Sequence, residues 1–178
     1  MPDYITTYTR KHFDPLHPDA QALCVEDIAH ALSLLCRGNG HVSTVFSVGR
    51  HCILCCREAM ARGYSDRLAL ACLLHDASEA YLSDVPRPFK RNLKTYMEAE
   101  DRFLALIYTH FLGSPLTAEE ETVLKGIDDD LLAYDLTYLL DEPQELPRLH
   151  VPVSYQFEPF EKTEQEYLSL YQMLRSRL

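Results

Sequence analysis

The chain has 178 residues, of which 47% are hydrophobic and 25% are charged, a composition typical of one globular domain with a buried core. Its formal net charge of −10 at pH 7 repels a long phosphate backbone, which argues against a nucleic-acid polymer as partner. The longest apolar run, residues 68–74, is far short of the roughly 20 residues that cross a bilayer, so we expect no membrane partner.

Residues 1–23 are predicted to form an irregular N-terminal arm. The arm begins without the basic and apolar regions of a secretory signal, so we expect a cytoplasmic protein. A short strand is predicted at residues 4–8, and the prolines within residues 13–18 predict a loop or turn.

Apolar residues at helical spacing predict five to seven helices after the arm. The pattern places helices at residues 25–36, 44–61, 65–80, 92–111, 117–140 and 161–175. Ser65 is a predicted N-cap, and Thr117 with Glu120 predicts a capping box. Together these elements predict a single all-α domain spanning residues 1–178.

Two proline-containing stretches are expected to be irregular. Pro86 and Pro88 disfavour helix and predict a loop over residues 83–88. A basic patch follows that could meet a small phosphorylated ligand, formed by Arg87, Lys90, Arg91 and Lys94. Residues 141–159 are expected to extend over the surface, so residues 141–178 form an extended segment and a C-terminal helix.

Three of the six cysteines, Cys52, Cys55 and Cys56, lie within five positions of one another. The Cys-x-x-Cys spacing of the first two would suit zinc, but a structural zinc site needs a second Cys or His pair at similar spacing, and the sequence offers none. We therefore interpret the three as small buried hydrophobic residues, with a zinc-stabilised interaction module as the alternative.

A metal site is indicated by two histidines in apolar, helix-forming surroundings. A buried imidazole needs a hydrogen bond or a metal ion, which applies to His51 and to His75. Asp76 follows His75 directly at the end of an apolar run, where an ionised carboxylate is costly unless a positive charge meets it. A divalent cation would satisfy both residues, because imidazole nitrogen and carboxylate oxygen are good ligands for it.

A second carboxylate is expected from residues 128–130, three consecutive aspartates in a predicted helix. Helical spacing puts Asp128 on the face that carries the leucines, with Asp135 on the same face as a reserve candidate. Asp129 and Asp130 point away from that face and are expected to be solvated. Two imidazole nitrogens and two carboxylates then balance one divalent ion.

The order His51 … His75-Asp76 … Asp128 resembles the H…HD…D signature of the HD-domain metal-dependent phosphohydrolases. The chain is similar to the short bacterial 5′-deoxynucleotidases and phage deoxynucleotide triphosphohydrolases of that superfamily over about residues 4–140. Six segments carry the resemblance besides the signature itself: residues 28–32, 36–37, 40–41, 46–48, 73–81 and 84–90.

The resemblance implies an HD-domain helical fold and hydrolysis of a (deoxy)nucleoside mono- or triphosphate, a small phosphorylated partner. The cofactor would be one divalent ion (Mn, Co, Mg, Zn, Ni or Fe), held by His51, His75, Asp76 and Asp128. The alternative from another class is a catalytically silent nucleotide-binding or regulatory protein that uses the same pocket. The sequence leaves open whether the chain forms a homo-oligomer.

The resemblance also implies roles for residues around the metal. Glu79 matches the catalytic acid and Asp84 matches a carboxylate near the attacking water, although the first could be a solvated helix residue and the second a turn cap. Arg37 matches an arginine that contacts substrate, although it could instead meet carbonyls at a helix C-terminus. His41 and Lys90 are further substrate-binding candidates, and His41 could equally support its loop.

Three positions depart from the pattern of these hydrolases. Arg50 stands where they commonly carry Glu or Gln, and Cys52 stands where Ser is usual. Gly38 replaces an aromatic residue that often packs on the substrate. Because the ligands are intact, these departures bear on base or sugar selectivity rather than on activity.

Overall fold

Helices make up most of the protein in a computed structural model that describes residues 3–178, which confirms the all-α class. Six of the described helices have nine residues or more, within the predicted five to seven, and two more are single turns. In chain order they are α1 (Val25–Leu34), α2 (Val48–Ala61), α3 (Asp66–Leu74), α4 (Glu79–Leu82), α5 (Arg87–Lys90), α6 (Lys94–Leu112), α7 (Ala118–Leu139) and α8 (Phe160–Arg175). Within residues 3–178, no helix combines the length and the hydropathy needed to span a membrane.

The starts of three helices are fixed by side-chain caps. The Ser47 hydroxyl accepts a hydrogen bond from the amide of Arg50, so α2 begins at Val48 rather than near residue 44. Ser65 caps α3 as predicted. The predicted capping box of Thr117 and Glu120 opens α7. Each cap satisfies an amide that the first helical turn leaves without a partner.

The predicted helix over residues 65–80 is wrong in its second half, because α3 ends at Leu74 and α4 starts at Glu79. At the break, His75 Nδ1 lies 2.8 Å from the carbonyl oxygen of Cys72. A side chain that takes a helix carbonyl competes with the backbone ladder and favours termination. His75 and Asp76 therefore lie at a helix end rather than in the middle of a helix.

The predicted loop over residues 83–88 is also partly wrong, because α5 forms one helical turn over Arg87–Lys90. Pro88 is tolerated there since the first helical positions need no amide donor. In the N-terminal arm, the described residues include an antiparallel pair of two-residue strands, β1 (Ile5–Thr6) and β2 (His12–Phe13). Residues 1–2 of the arm lie outside the described part of the chain.

The core is built around α2 and α3, which pack against each other. Every residue from Leu68 to Leu74 is buried, so α3 is apolar on all sides and is covered on all sides. The helix α8 packs on α1, α2 and α3, and α7 packs on α2 and α3. The place where α2, the end of α3 and α7 meet is where the sequence puts the metal ligands.

The segment between α7 and α8 is irregular, as predicted, but it is held to the helices at two points. Buried Glu58 accepts hydrogen bonds from the amides of His150 and Val151 at 2.9–3.0 Å. Arg50 donates to the carbonyls of Ser154 and Gln156, at 2.7 and 2.5 Å. The arginine that departs from the hydrolase pattern therefore anchors this segment.

Candidate metal centre

The four predicted ligands converge on one point from three helices. His51 on α2 lies with its Nε2 atom 3.0 Å from Oδ1 of Asp128 on α7. His75 Nε2, at the end of α3, lies 3.2 Å from Asp76 Oδ2 and 3.8 Å from the same Asp128 Oδ1. The two imidazole rings are 5.3 Å apart between centroids. Two nitrogens and two carboxylates thus share one small volume.

The hydrogen bonding of His75 leaves a lone pair directed at these carboxylates. Its Nδ1 atom contacts the Cys72 carbonyl, which can only accept, so Nδ1 carries the proton and Nε2 of the neutral ring does not. Nε2 is buried and finds no hydrogen-bond partner among residues 3–178. A lone pair facing two carboxylates is unfavourable unless a proton or a metal cation lies between them. Although burial lowers the pKa of His75, Asp76 raises it well above its usual range. A carbonyl-oriented imidazole of this kind is typical of metal-ligating histidines.

His51 contacts a carboxylate on each side of its ring. Nε2 lies 3.0 Å from Asp128 Oδ1 and Nδ1 lies 3.3 Å from Asp135 Oδ2, yet a neutral imidazole has one N–H to give. Burial and Arg37 lower the pKa of His51, but Cys55 and the hydrogen bonds to the two aspartates raise it well above its usual range. Positive charge is therefore favoured here, and a divalent ion at Nε2 would supply it.

The two ligand carboxylates remain ionised although they are largely buried. Burial alone would raise the pKa of Asp76, but the adjacent His75 lowers it by more, so the pKa falls to about 2. Burial acts the same way on Asp128, and the neighbouring His51 and His75 hold the pKa of that carboxyl well below its usual range. Two negative charges in a poorly hydrated site are costly without a cation, so the residues present fit a divalent metal ion.

Thiols also reach this site, which the sequence interpretation missed. Ligand atoms of His51, Cys55, His75 and Asp128 all lie within 4.8 Å of one another, and those of Cys52, His75 and Asp76 do the same. The cysteines of α2 are buried and free, as the hydrophobic interpretation expects. The signal that could have found Cys55 is its spacing, four residues after His51 on the same helical face.

A cleft of about 420 Å³ opens over two of the four predicted ligands, Asp76 and Asp128. Its volume lies in the range of small-molecule sites. Acidic, basic and apolar side chains line it, so it combines a charged floor with apolar walls. The charged residues are Arg37, Asp76, Glu79, Asp84, Arg87, Lys90, Asp128 and Asp135; the others are Gly38, Val42, Val85, Leu132, Leu136, Leu139 and Leu140.

The two predicted catalytic carboxylates both line this cleft. Glu79 Oε2 is buried and finds no hydrogen-bond partner among the described residues. Burial, with the charges of Asp76 and Asp84, raises the pKa of Glu79 well above its usual range, which favours its protonated form. Asp84 accepts a hydrogen bond from the amide of Gly38 at 3.2 Å. This bond joins residues 46 positions apart, so Asp84 does more than cap its own turn.

The predicted substrate-binding residues differ in their positions. Arg37 lies in the cleft, with Nε 3.1 Å from Asp135 Oδ2 and Nη1 3.6 Å from Asp76 Oδ2, so its guanidinium meets carboxylates rather than helix carbonyls. Lys90 also lines the cleft and pairs with Glu100. His41 is exposed and is absent from the described cleft lining.

Two further residues belong to the site. Arg87, known from the sequence only as part of a basic patch, lies with Nη2 3.4 Å from Asp128 Oδ2. Asp135, the reserve candidate, contacts Arg37 and His51 and accepts a hydrogen bond from Tyr155 at 2.9 Å. The reserve aspartate therefore orients other groups at the site.

The other two aspartates of the triplet point away from the ligands, as expected from helical spacing. Asp129 pairs with Lys125 at 2.5 Å and with Arg87 at 3.3 Å. Asp130 pairs with Arg62 at 2.7 Å. Both are partly buried in ion pairs rather than freely solvated.

Comparison with known proteins gives relatives without a described activity. The chain is 38% identical over 106 residues to the uncharacterised protein YfdR of Escherichia coli K12, covering 58% of this chain and 56% of YfdR. It is 36% identical over 125 residues to an uncharacterised protein of Rhodobacter capsulatus, covering 66% of this chain and 63% of that protein. The chain thus spans about three fifths of the length of the curated relatives it matches. No protein-family model matches it.

Proposed function

We propose that the protein is an HD-domain metal-dependent phosphohydrolase that cleaves a (deoxy)nucleoside mono- or triphosphate. The observation that carries the proposal is the meeting of His51, His75, Asp76 and Asp128 in the chain order of the H…HD…D signature, with the two aspartates lining a cleft. The unpartnered, buried Nε2 of His75 supports a cation at this point.

The four ligands would hold one divalent ion, which when bound polarises a phosphate and lowers the pKa of a coordinated water. The chain orients the ligands through their other atoms. The Cys72 carbonyl fixes the tautomer of His75, and Asp135 lies beside Nδ1 of His51. Such partners of metal-ligating histidines strengthen the ligand and hold its ring in place.

Proton transfer is assigned to the two carboxylates that line the cleft. Glu79 would protonate the leaving oxygen, a role that suits a buried carboxyl whose Oε2 is free of hydrogen bonds to the described residues. Asp84 would orient or deprotonate the attacking water. Its hydrogen bond to the amide of Gly38 holds the side chain in the cleft.

Positive groups at the cleft would neutralise the phosphate charge. Arg37 is held in one orientation by Asp135 and Asp76, so its remaining donors are positioned in advance. Arg87 and Lys90 lie on the same lining. This local basic character allows a small phosphorylated ligand to bind a chain whose net charge is −10.

The test is a screen of nucleoside mono-, di- and triphosphates against Mn, Co, Mg, Zn and Ni, with phosphate, pyrophosphate and triphosphate measured as products. We expect metal-dependent release of one of these products. Nucleotide binding without product release under every metal would contradict the proposal and would support the regulatory nucleotide-binding alternative. Asp84→Asn, which keeps the side-chain size and removes the charge, is the matched inactive control.

A further inference from the structure

Cys55 lies where a metal ion in the proposed site would meet its sulfur atom. It is one helical turn after His51 on α2 and is 2% exposed. Its Sγ atom lies 3.4 Å from His51 Nε2, the nitrogen that also faces Asp128. The thiol, both imidazoles and this carboxylate each offer one atom to a group whose members are all within 4.8 Å.

These distances fit shared coordination. Zinc bonds of about 2.0–2.1 Å to nitrogen and about 2.3 Å to sulfur, at near-tetrahedral angles, separate the two ligand atoms by about 3.3–3.6 Å. The separation of 3.4 Å between Cys55 Sγ and His51 Nε2 falls in this interval. Independently, His75 Nε2 is buried, is without a hydrogen-bond partner in residues 3–178 and belongs to the same group of atoms.

A simple thiol-to-imidazole hydrogen bond explains less of this geometry. If His51 Nε2 donates to Asp128 Oδ1, 3.0 Å away, it has no lone pair left to accept from Cys55; if it accepts from Cys55, its lone pair faces that ionised carboxylate. A lone pair at Nε2 repels that carboxylate, whereas a metal ion attracts the nitrogen, the oxygen and the sulfur together.

We infer that Cys55 is a direct thiolate ligand of the metal ion, so that the site selects thiophilic divalent ions such as Zn²⁺ or Co²⁺ over Mg²⁺. The inference rests on the metal site of the proposed function and deepens it. Soft thiolate ligands favour zinc, whereas sites made of carboxylate and water suit Mg²⁺. On binding, the Cys55 thiol releases its proton to solvent and sulfur donates its electron pair to the metal.

The test is the absorption spectrum of the full chain, freed of metal and loaded with one equivalent of Co²⁺. We expect a near-ultraviolet sulfur-to-cobalt charge-transfer band in the wild type. Cys55→Ala should bind cobalt without this band. Its Zn²⁺ affinity should fall about 100-fold or more. Mutating a residue that only hydrogen-bonds a metal ligand already lowers metal affinity by about 10- to 100-fold, and losing a ligand should cost more. Its Mg²⁺ affinity should stay close to that of the wild type.

Cys56→Ala is the matched control, since this neighbouring thiol is equally buried and is absent from both groups of candidate ligand atoms. It should keep the band, and Cys52→Ala should keep it as well. If the wild type binds cobalt without the band, the inference about Cys55 is wrong whatever the variants do, while the proposed function still stands. A band that persists in Cys55→Ala, or vanishes only in Cys52→Ala, also overturns it. Failure of the wild type to bind any metal overturns the proposed function too.

Discussion

Replacing Glu58 with glutamine should destabilise the protein strongly, although the change removes a single charge and almost no volume. Glu58 is fully buried on α2. Its Oε2 atom accepts from the amides of His150 and Val151, and its Oε1 atom accepts from Arg62 Nε at 2.8 Å and lies 3.1 Å from His150 Nδ1. Both oxygens are therefore surrounded by donors.

The expected loss follows from this geometry. A glutamine has one carbonyl oxygen and one NH₂ group in place of the two carboxylate oxygens. In either orientation the NH₂ group faces hydrogen-bond donors that Glu58 had accepted from, so at least two hydrogen bonds are lost. Hydrogen bonds to a charged group contribute about 1.5–3 kcal/mol each. The side chain of His150 is 48% exposed, so water can replace part of the hydrogen bonding that the substitution removes and reduce the energy loss. We expect Glu58→Gln to lower the free energy of unfolding by about 3 kcal/mol, near the low end for breaking a buried charged pair.

Urea unfolding at pH 7 measures this difference. With a urea dependence of about 1–3 kcal/mol per molar, the midpoint should fall by about 1–3 M. Glu98→Gln is the control, since it makes the same change at an exposed site in α6 and should shift stability by less than about 0.5 kcal/mol. Equal midpoints for the two variants would refute the reasoning.

The same comparison has a defined pH dependence. Burial raises the pKa of Glu58, but its hydrogen bonds with Arg62, His150 and Val151 lower it below the usual 4.5. A carboxyl with a depressed pKa stabilises the folded state above its unfolded pKa, and this contribution is lost as pH falls through the folded value. The stability difference between wild type and Glu58→Gln should therefore be full at pH 7 and shrink below pH 4.5.

Three further predictions concern the site. Asp128→Ala should abolish bound metal, measured by elemental analysis, whereas Asp129→Ala should keep its metal content because its partners Lys125 and Arg87 lie outside the ligand group; loss of metal in Asp129→Ala but not in Asp128→Ala would show that the ligand on α7 is misassigned. Glu79→Ala should keep its metal content and nucleotide Kd while kcat falls roughly 10²- to 10⁴-fold, the usual contribution of general acid–base catalysis; unchanged turnover would contradict the proposed mechanism. Tyr155→Phe removes the hydrogen bond to Asp135 and should weaken Zn²⁺ binding roughly tenfold or more, measured by competition with a chelating dye; unaltered affinity would show that this bond has no part in orienting the site.

The sequence was sufficient for five of the long helices and for the four residues that meet at the candidate metal centre. Hydrophobic spacing, together with the cap of α7 and the glycines after α1, α2 and α6, located α1, α2, α6, α7 and α8 to within a few residues. Asp128 could be separated from its two neighbours because helical geometry turns successive residues by about 100°. The roles of Glu79, Asp84 and Arg37 rest on resemblance and stay predictions.

The remaining features depend on contacts between distant parts of the chain. At the end of α3, His75 contacts the Cys72 carbonyl, and an apolar pattern does not reveal this contact. Arg87 reaches Asp128 only because α5 folds as a helical turn beside α7. Cys55 carried two signals, an apolar face and a shared face with His51, and only the first entered the prediction. Sequence spacing records neighbours along one helix but not partners across helices.

Tyr167 on α8 connects that helix to the end of α3, where two of the candidate ligands lie, so local unfolding of α8 should also affect the candidate site. Tyr167 is fully buried and donates a 2.6 Å hydrogen bond to the carbonyl of Leu73, two residues before His75. The last carbonyls of a helix have no partner within it, so this bond replaces one that α3 lacks. Detachment of α8 would break it and release the end of α3. The candidate ligands His75 and Asp76 therefore belong to the same cooperative unit as α8, and their amides should exchange with solvent together with those of a helix that supplies none of the four candidate ligands.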